Sequence, residues 1–167
     1  YTPEEVGIGT IDKIILKNCT YGFARRNLEI YMGVTDKESF TGDPRLATTW
    51  IPTSDLWKVF EGEVRFEDGK DVTIPLTTRF ESTGKRNYVV YVCDKSGYSS
   101  SPAPDDIVRF LCRISSSTLY RSIYAYSSSD PVTAKAPGDY AEIGFFKNNI
   151  DFGLFTEPMT SSSAGSS

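Results

Sequence analysis

The sequence has no histidine among its 167 residues. This absence excludes Ser-His-Asp and Cys-His catalysis, histidine general bases, and most zinc and transition-metal sites. The sequence also has no Gly-x-Ser-x-Gly, phosphate-loop, dinucleotide-binding or calcium-loop motif. We therefore expect a protein that is not an enzyme and that takes no cofactor and no metal.

Carboxylate chemistry is the one catalytic alternative left open. Glu61 and Glu63 are two residues apart on a predicted strand, so they share a face at about 6–7 Å. A glycosidase needs two acids roughly 5–10 Å apart across a cleft. Alternating glutamates on a hairpin are more typical of a solvated face. Asp105-Asp106 precedes a predicted strand and is interpreted as the end of a loop rather than as a metal site.

Cysteine is scarce, with Cys19, Cys93 and Cys112 in a spacing that matches no zinc site. Cys93 and Cys112 lie in apolar stretches, which predicts small core residues. A disulfide between them would fit an extracellular protein. The Asn18-Cys19-Thr20 triplet is a glycosylation acceptor only in a secretory compartment.

Long apolar runs and a basic surface are also lacking. No stretch of 18 apolar residues occurs, which excludes a helical membrane span. The formal charge of −4 argues against nucleic-acid binding through a basic patch. The Arg25-Arg26 and Lys85-Arg86 pairs are too short to form one. The chain does not begin with Met, as expected of a mature protein, a proteolytic product or an excised domain.

Length and composition predict one domain over residues 1–158. An apolar share of 39% is too high for disorder, and 167 residues can bury a sizeable core. Residues 159–167 form a Ser-rich tail that we expect to be disordered.

Alternation of apolar and polar residues is the main structural signal. It predicts a strand over 28–34 and another over 60–67. Asp68-Gly69 then predicts a type I′ hairpin leading to a strand over 72–77, in which Pro75 requires a free edge or a bulge.

Further strands are predicted over 10–17, 107–114, 119–126, 140–147 and 150–156, with a buried central strand over 88–93. A single turn capped by Ser54 is the only helical signal. Short strands with turns about every ten residues predict an all-β fold, an antiparallel β-sandwich or jelly roll of about eight strands with long loops.

Aromatic residues supply the candidate binding sites. Trp50 and Trp57 flank a Pro-containing loop and are candidates for stacking on a ligand, with core packing as the alternative. Tyr98 is a further ligand candidate. Tyr120, Tyr124 and Tyr126 form a stripe that suits either an assembly interface or a second sheet packing on the first.

The C-terminal part of the chain carries a family resemblance. A strand over 118–126 is followed by a polar loop with Pro131 and Pro137, by Ile-Gly-Phe-Phe-Lys over 143–147, and by Asp-Phe-Gly-Leu-Phe over 151–155. Residues 118–157 thus resemble the last strands of jelly-roll coat proteins of picorna-like RNA viruses. The Val-Thr-Ile-Pro string over 72–75 is similar to a recurring strand ending of that family.

The resemblance implies a virus capsid subunit or a projecting capsid domain located in the virion. Its function would be shell assembly through self-association or sister subunits, with contact to a host receptor, and it brings no catalytic residues. The alternative expectation is a secreted or cell-surface module that binds a carbohydrate or a protein.

Overall fold

A computed structural model describes residues 1–17, 23–96, 112–113, 120–126, 142–146, 149–150 and 152–157. Strands dominate these residues and every pairing is antiparallel, which confirms the all-β class. Within this part of the chain, no helix is long and apolar enough to cross a membrane. The tail at 159–167 lies outside the described residues.

The strands follow one another along the chain with two short turns between β2 and β3. They are β1 (Gly9–Leu16), β2 (Phe23–Thr35), β3 (Trp57–Glu67), β4 (Val72–Ser82), β5 (Asn87–Asp94), β6 (Cys112–Arg113), β7 (Ser122–Tyr126), β8 (Glu142–Phe146), β9 (Asn149–Ile150) and β10 (Phe152–Glu157). The helix α1 covers Pro3–Val6, and 3₁₀ turns cover Ala47–Thr49 and Thr53–Asp55.

Two three-stranded sheets enclose one hydrophobic core. Their strand orders are β10–β1–β4 and β3–β2–β5, and β6–β9 and β7–β8 form separate pairs. Buried apolar side chains from both sheets form a single cluster, as in a sandwich. Its buried members are Val6, Ile11, Ile14, Leu16, Ala24, Leu28, Ile30, Met32, Val59, Val64, Phe66, Ile74, Phe80 and Tyr88.

The Asp68-Gly69 turn joins the two sheets, so the predicted hairpin is wrong. β3 belongs to one sheet and β4 to the other. Lys70 N donates to Glu67 O at 3.0 Å, and Gly69 has φ 64° while Asp68 keeps a negative φ. A type I′ turn needs positive φ at both central residues, and its twist is what keeps hairpin strands paired. With positive φ at only the second position, as in a type II turn, the strands separate.

Pro75 lies where a proline is tolerated, as predicted. β4 is at the edge of its sheet among the described strands. Its register with β1 shifts between the Ile11↔Phe80 and Lys13↔Pro75 pairs, so the ladder is already interrupted there. Proline removes no regular ladder hydrogen bond at such a bulge.

Two other local predictions are wrong. β5 is not a buried central strand, because among the described strands it pairs only with β2, and Tyr88 is its one buried residue. The turn after Pro52 covers Thr53–Asp55, so Ser54 lies inside it rather than at its cap, and no side chain caps it.

A short capped helix fixes the start of the chain. Thr2 Oγ1 accepts from Glu5 N at 3.3 Å, while Glu5 Oε2 accepts from Thr2 N at 2.8 Å, which is a capping box. Arg121 donates to both carboxylate oxygens of Glu5, with Nη1–Oε1 at 2.9 Å. These hydrogen bonds hold the pKa of Glu5 at about 2 and tie α1 to the segment leading into β7.

Candidate functional site

The candidate functional site is the side of the β3–β2–β5 sheet that points away from the core, here called the outer face. Strand alternation places the core residues of β2 at even positions, so its odd positions point outward. Cross-strand register then identifies the neighbours on β3 and β5. The outer face comprises Phe23, Arg25, Asn27, Glu29, Tyr31, Lys58, Glu61, Glu63, Arg65, Glu67, Tyr91 and Cys93.

A tyrosine pair lies toward one end of the outer face. The rings of Tyr31 and Tyr91 meet edge to face, with centroids 5.7 Å apart. The Tyr31 hydroxyl donates to Glu29 Oε2 at 3.1 Å. Burial, together with this hydrogen bond to a carboxylate, raises the pKa of Tyr31, so the phenol stays a neutral hydrogen-bond donor. Tyrosines of this kind present both apolar area and a polar group to a partner.

Two arginines and a phenylalanine occupy the other end. The guanidinium groups of Arg25 and Arg65 lie 5.2 and 4.9 Å from the ring centroid of Phe23, which is 36% exposed. Arg25 and Arg65 are directly opposite each other across β2 and β3. Cation–π contact with the ring partly offsets the repulsion between these like charges. Exposed Arg and aromatic groups are typical of protein-binding hot spots.

The outer face ends where a loop crosses it. Leu56 is buried over Gly33, and a Cβ added to Gly33 would collide with the Leu56 side chain and lie 3.3 Å from Asp55 O. The glycine therefore permits the close approach of the loop to β2. This contact sets one boundary of the exposed part of the sheet.

Glu61 and Glu63 share the outer face, as predicted, and both are exposed. Glu61 Oε2 lies 2.9 Å from Lys58 Nζ, while Glu63 Oε1 lies 3.9 Å from Arg25 Nε. Each carboxylate thus has a basic neighbour on an open sheet surface. Asp105-Asp106 lies outside the described residues.

The two tryptophans have different environments. Trp50 is half-buried, and its Nε1 donates to Pro44 O at 2.7 Å, which folds the loop that precedes β3. Trp57 is 57% exposed, and its ring lies 6.2 Å from that of Phe80 on the facing sheet. Of the two candidates, Trp57 has the more exposed ring.

Tyr120 and Tyr124 lie beside or within β7, which is not a strand of the sheet that carries the outer face. Tyr120 is 41% exposed, and its carbonyl accepts from Phe40 N at 2.8 Å. Tyr124, in β7, is half-buried. Tyr126 also belongs to β7, but its side chain lies outside the described part of the chain, as does all of Tyr98.

Cys93 lies on the outer face opposite Glu29, so its prediction as a core residue is wrong. It carries a free thiol. Burial raises the pKa of this thiol, which keeps it protonated near neutral pH and weakens it as a nucleophile. The side chain of Cys112 lies outside the described residues. In the part of the chain that is described, no three His, Cys, Asp or Glu side chains gather at a metal-binding distance.

Comparison with known proteins adds no relative to this picture. No protein-family model, curated protein sequence or solved structure matches the chain.

Proposed function

We propose that this protein is a non-catalytic structural subunit that assembles with other protein chains through exposed faces of its sheets. The observation that carries the proposal is the outer face, where half-buried tyrosines and exposed phenylalanine and arginine side chains lie among charges of both signs. Aromatic and arginine residues are enriched in protein interfaces, while an ordinary solvated face has few of them.

The virus-coat resemblance over 118–157 gives this assembly its most specific form. In that form the two sheets belong to one jelly roll of about eight strands, and the protein is a capsid subunit or projecting capsid domain that also contacts a host receptor. The pairing of β1 with β10 and the change of sheet between β3 and β4 support this arrangement. A double-sheet fold of this kind joins strands distant in sequence and crosses between its sheets.

The test of assembly is light scattering behind a sizing column over a range of protein concentrations and salt. We expect the average mass to rise with concentration and to fall with added salt, because exposed charged contacts are screened. A mass equal to one chain at every concentration would contradict self-assembly.

A second candidate function is carbohydrate binding by a secreted or cell-surface module. It is favoured by the exposed ring of Trp57, which rests on Phe80 and offers a flat apolar surface at the end of the core. Sugar-binding modules use such rings because the face of a pyranose is apolar.

Glycan-array binding by the wild-type chain and two variants tests this candidate. Trp57→Ala should abolish any signal, since it removes the stacking surface. Trp50→Ala is the matched control and should retain the signal, because that indole is tied to Pro44 O within the loop. Loss of binding in both variants, or in neither, would contradict a role for Trp57.

A further inference from the structure

The charges of the outer face have an internal symmetry. Arg25 and Arg65 form one like-charge row across β2 and β3, and Glu29 and Glu61 form another. Both rows consist of directly opposite like charges, which is destabilising within one chain. Lys58, 2.9 Å from Glu61 Oε2, and Lys95, 3.9 Å from Glu29 Oε2, relieve part of this repulsion in the glutamate row. The two rows lie at equal distances on either side of Asn27, about 13 Å apart at the rise of a strand.

A second copy of the chain can satisfy both rows at once. A two-fold axis parallel to the sheet, lying between the two outer faces and running across the strands over Asn27, would invert the order of the rows. Arg25 would then face Glu29 of the other copy, and Arg65 would face Glu61 of the other copy. Each contact would occur twice, as in any isologous interface.

The outermost rows obey the same symmetry. Phe23 and Glu67 form the row beyond the arginines, while Tyr31 and Lys58 form the row beyond the glutamates. Inversion about Asn27 would bring Phe23 against Tyr31 and Glu67 against Lys58 of the second copy. One pairing is therefore aromatic and the other joins opposite charges, so both favour association.

The arginine row is only partly neutralised within the chain. Among the described residues, no carboxylate lies within ion-pair distance of Arg65, and Arg25 reaches Glu63 only at 3.9 Å. Arg65 therefore keeps its guanidinium donors available for a carboxylate from outside.

We infer that the outer face binds the outer face of a second copy in a two-fold dimer, with Arg25 and Arg65 of each chain paired to Glu29 and Glu61 of the other. This inference deepens the proposed assembly function and rests on it. Aligned sheets pack about 10 Å apart at roughly 30°. The arginine and glutamate rows each lie only about 7 Å from the axis. At that distance the long Arg and Glu side chains span the gap between the two sheets.

The dimer is weak for two reasons. The twelve residues of the outer face cover on the order of 400 Å² in plan, about half the surface that a standard interface buries on each partner. The axis also places Glu63 beside Glu63 of the second copy, and these like charges repel.

Charge-reversed variants test the pairing by sedimentation velocity from micromolar to millimolar protein at low salt. Arg65→Glu leaves only acidic groups at positions 61 and 65, and Glu61→Arg leaves only basic ones. Either variant alone should dimerise about tenfold or more weakly than wild type, because two symmetry-related contacts become repulsive. An equimolar mixture of the two should dimerise about as well as wild type, because each copy now supplies the charge that the other lacks.

Two further variants test whether the contact is confined to the outer face and where its axis lies. Arg79→Glu makes the same charge change on β4 of the other sheet and should leave dimerisation unchanged. Glu63→Gln removes the repulsion at the axis and should strengthen dimerisation severalfold.

The outcomes separate this inference from the broader proposal. Wild type that stays monomeric overturns both self-assembly and this dimer. If wild type associates and all variants associate equally well, only the outer-face pairing is overturned. The same holds if the mixture of Arg65→Glu and Glu61→Arg fails to recover wild-type dimerisation. Weaker association of Glu63→Gln overturns the placement of the axis.

Discussion

Replacing Phe66 with alanine should cost about 3–5 kcal/mol of the free energy of unfolding. Phe66 is fully buried on β3, where its ring fills the space between the two sheets. Removal of the ring loses its burial and leaves a cavity that the flanking strands cannot close. Urea denaturation at pH 7 would measure the loss, and thermal unfolding should show a midpoint lower by on the order of 10 °C.

The matched control is Phe23→Ala on the neighbouring strand. Phe23 belongs to the adjacent register position but points outward, where it contacts Arg25 and Arg65. Its loss should cost about 1 kcal/mol or less, since the ring is partly solvated and cation–π contacts at exposed sites are weak. Equal losses for the two phenylalanines would show that the inner and outer faces of the β3–β2–β5 sheet are assigned wrongly.

The strands of this core could be predicted because each has one buried face. The alternation of Leu28, Ile30 and Met32 with polar neighbours, and of Val64 and Phe66 with charged ones, sets a period of two that only a strand can use. The predicted inward faces of these segments are confirmed by their burial.

Pairing between strands was harder to predict, because a turn sequence specifies a bend and not the partners of its flanks. Asp68-Gly69 does make a tight turn, but Asp68 keeps a negative φ and the strands on either side enter different sheets. The apolar run over 88–93 also led to a wrong prediction, since every residue of β5 except Tyr88 is only partly buried or exposed. Tyr91 packs against Tyr31 on the outer face rather than in the core.

The outer face could not be found from the sequence because its rows exist only once the register is known. In the sequence, Arg25 and Arg65 look like separate solvated charges. Only the β2–β3 pairing shows that they are directly opposite each other and that both contact the ring of Phe23. The choice between Trp50 and Trp57 likewise depends on a tertiary contact, the hydrogen bond from Trp50 Nε1 to Pro44 O.

One missed element did have a local signal. Thr2-Pro3-Glu4-Glu5 contains a capping-box pattern with proline at the first helical position, which marks a helix start. What that pattern could not show is that Glu5 also binds Arg121, 116 positions later in the chain.

Neutralising Glu5 by Glu5→Gln should cost about 2–3 kcal/mol at pH 7. The carboxylate and Arg121 are largely buried, with side chains 19% and 15% exposed, so the substitution leaves a guanidinium poorly compensated. The pKa of Glu5 is lowered from 4.5 to about 2 in the folded chain, mainly by its hydrogen bonds with Arg121. Such a group stabilises the fold fully above its unfolded pKa and loses that contribution as the pH falls toward its folded pKa.

The difference in stability between wild type and Glu5→Gln should therefore be constant above about pH 5 and shrink steadily between about pH 5 and pH 2. Urea denaturation across this range would measure it. Asp36→Asn is the control, because Asp36 pairs with Arg86 at 2.9 Å but its side chain is 86% exposed. Exposed pairs of this kind contribute about 1 kcal/mol or less. A loss in Glu5→Gln no larger than in Asp36→Asn, or one that persists unchanged at about pH 2, would contradict the role assigned to the Glu5–Arg121 pair.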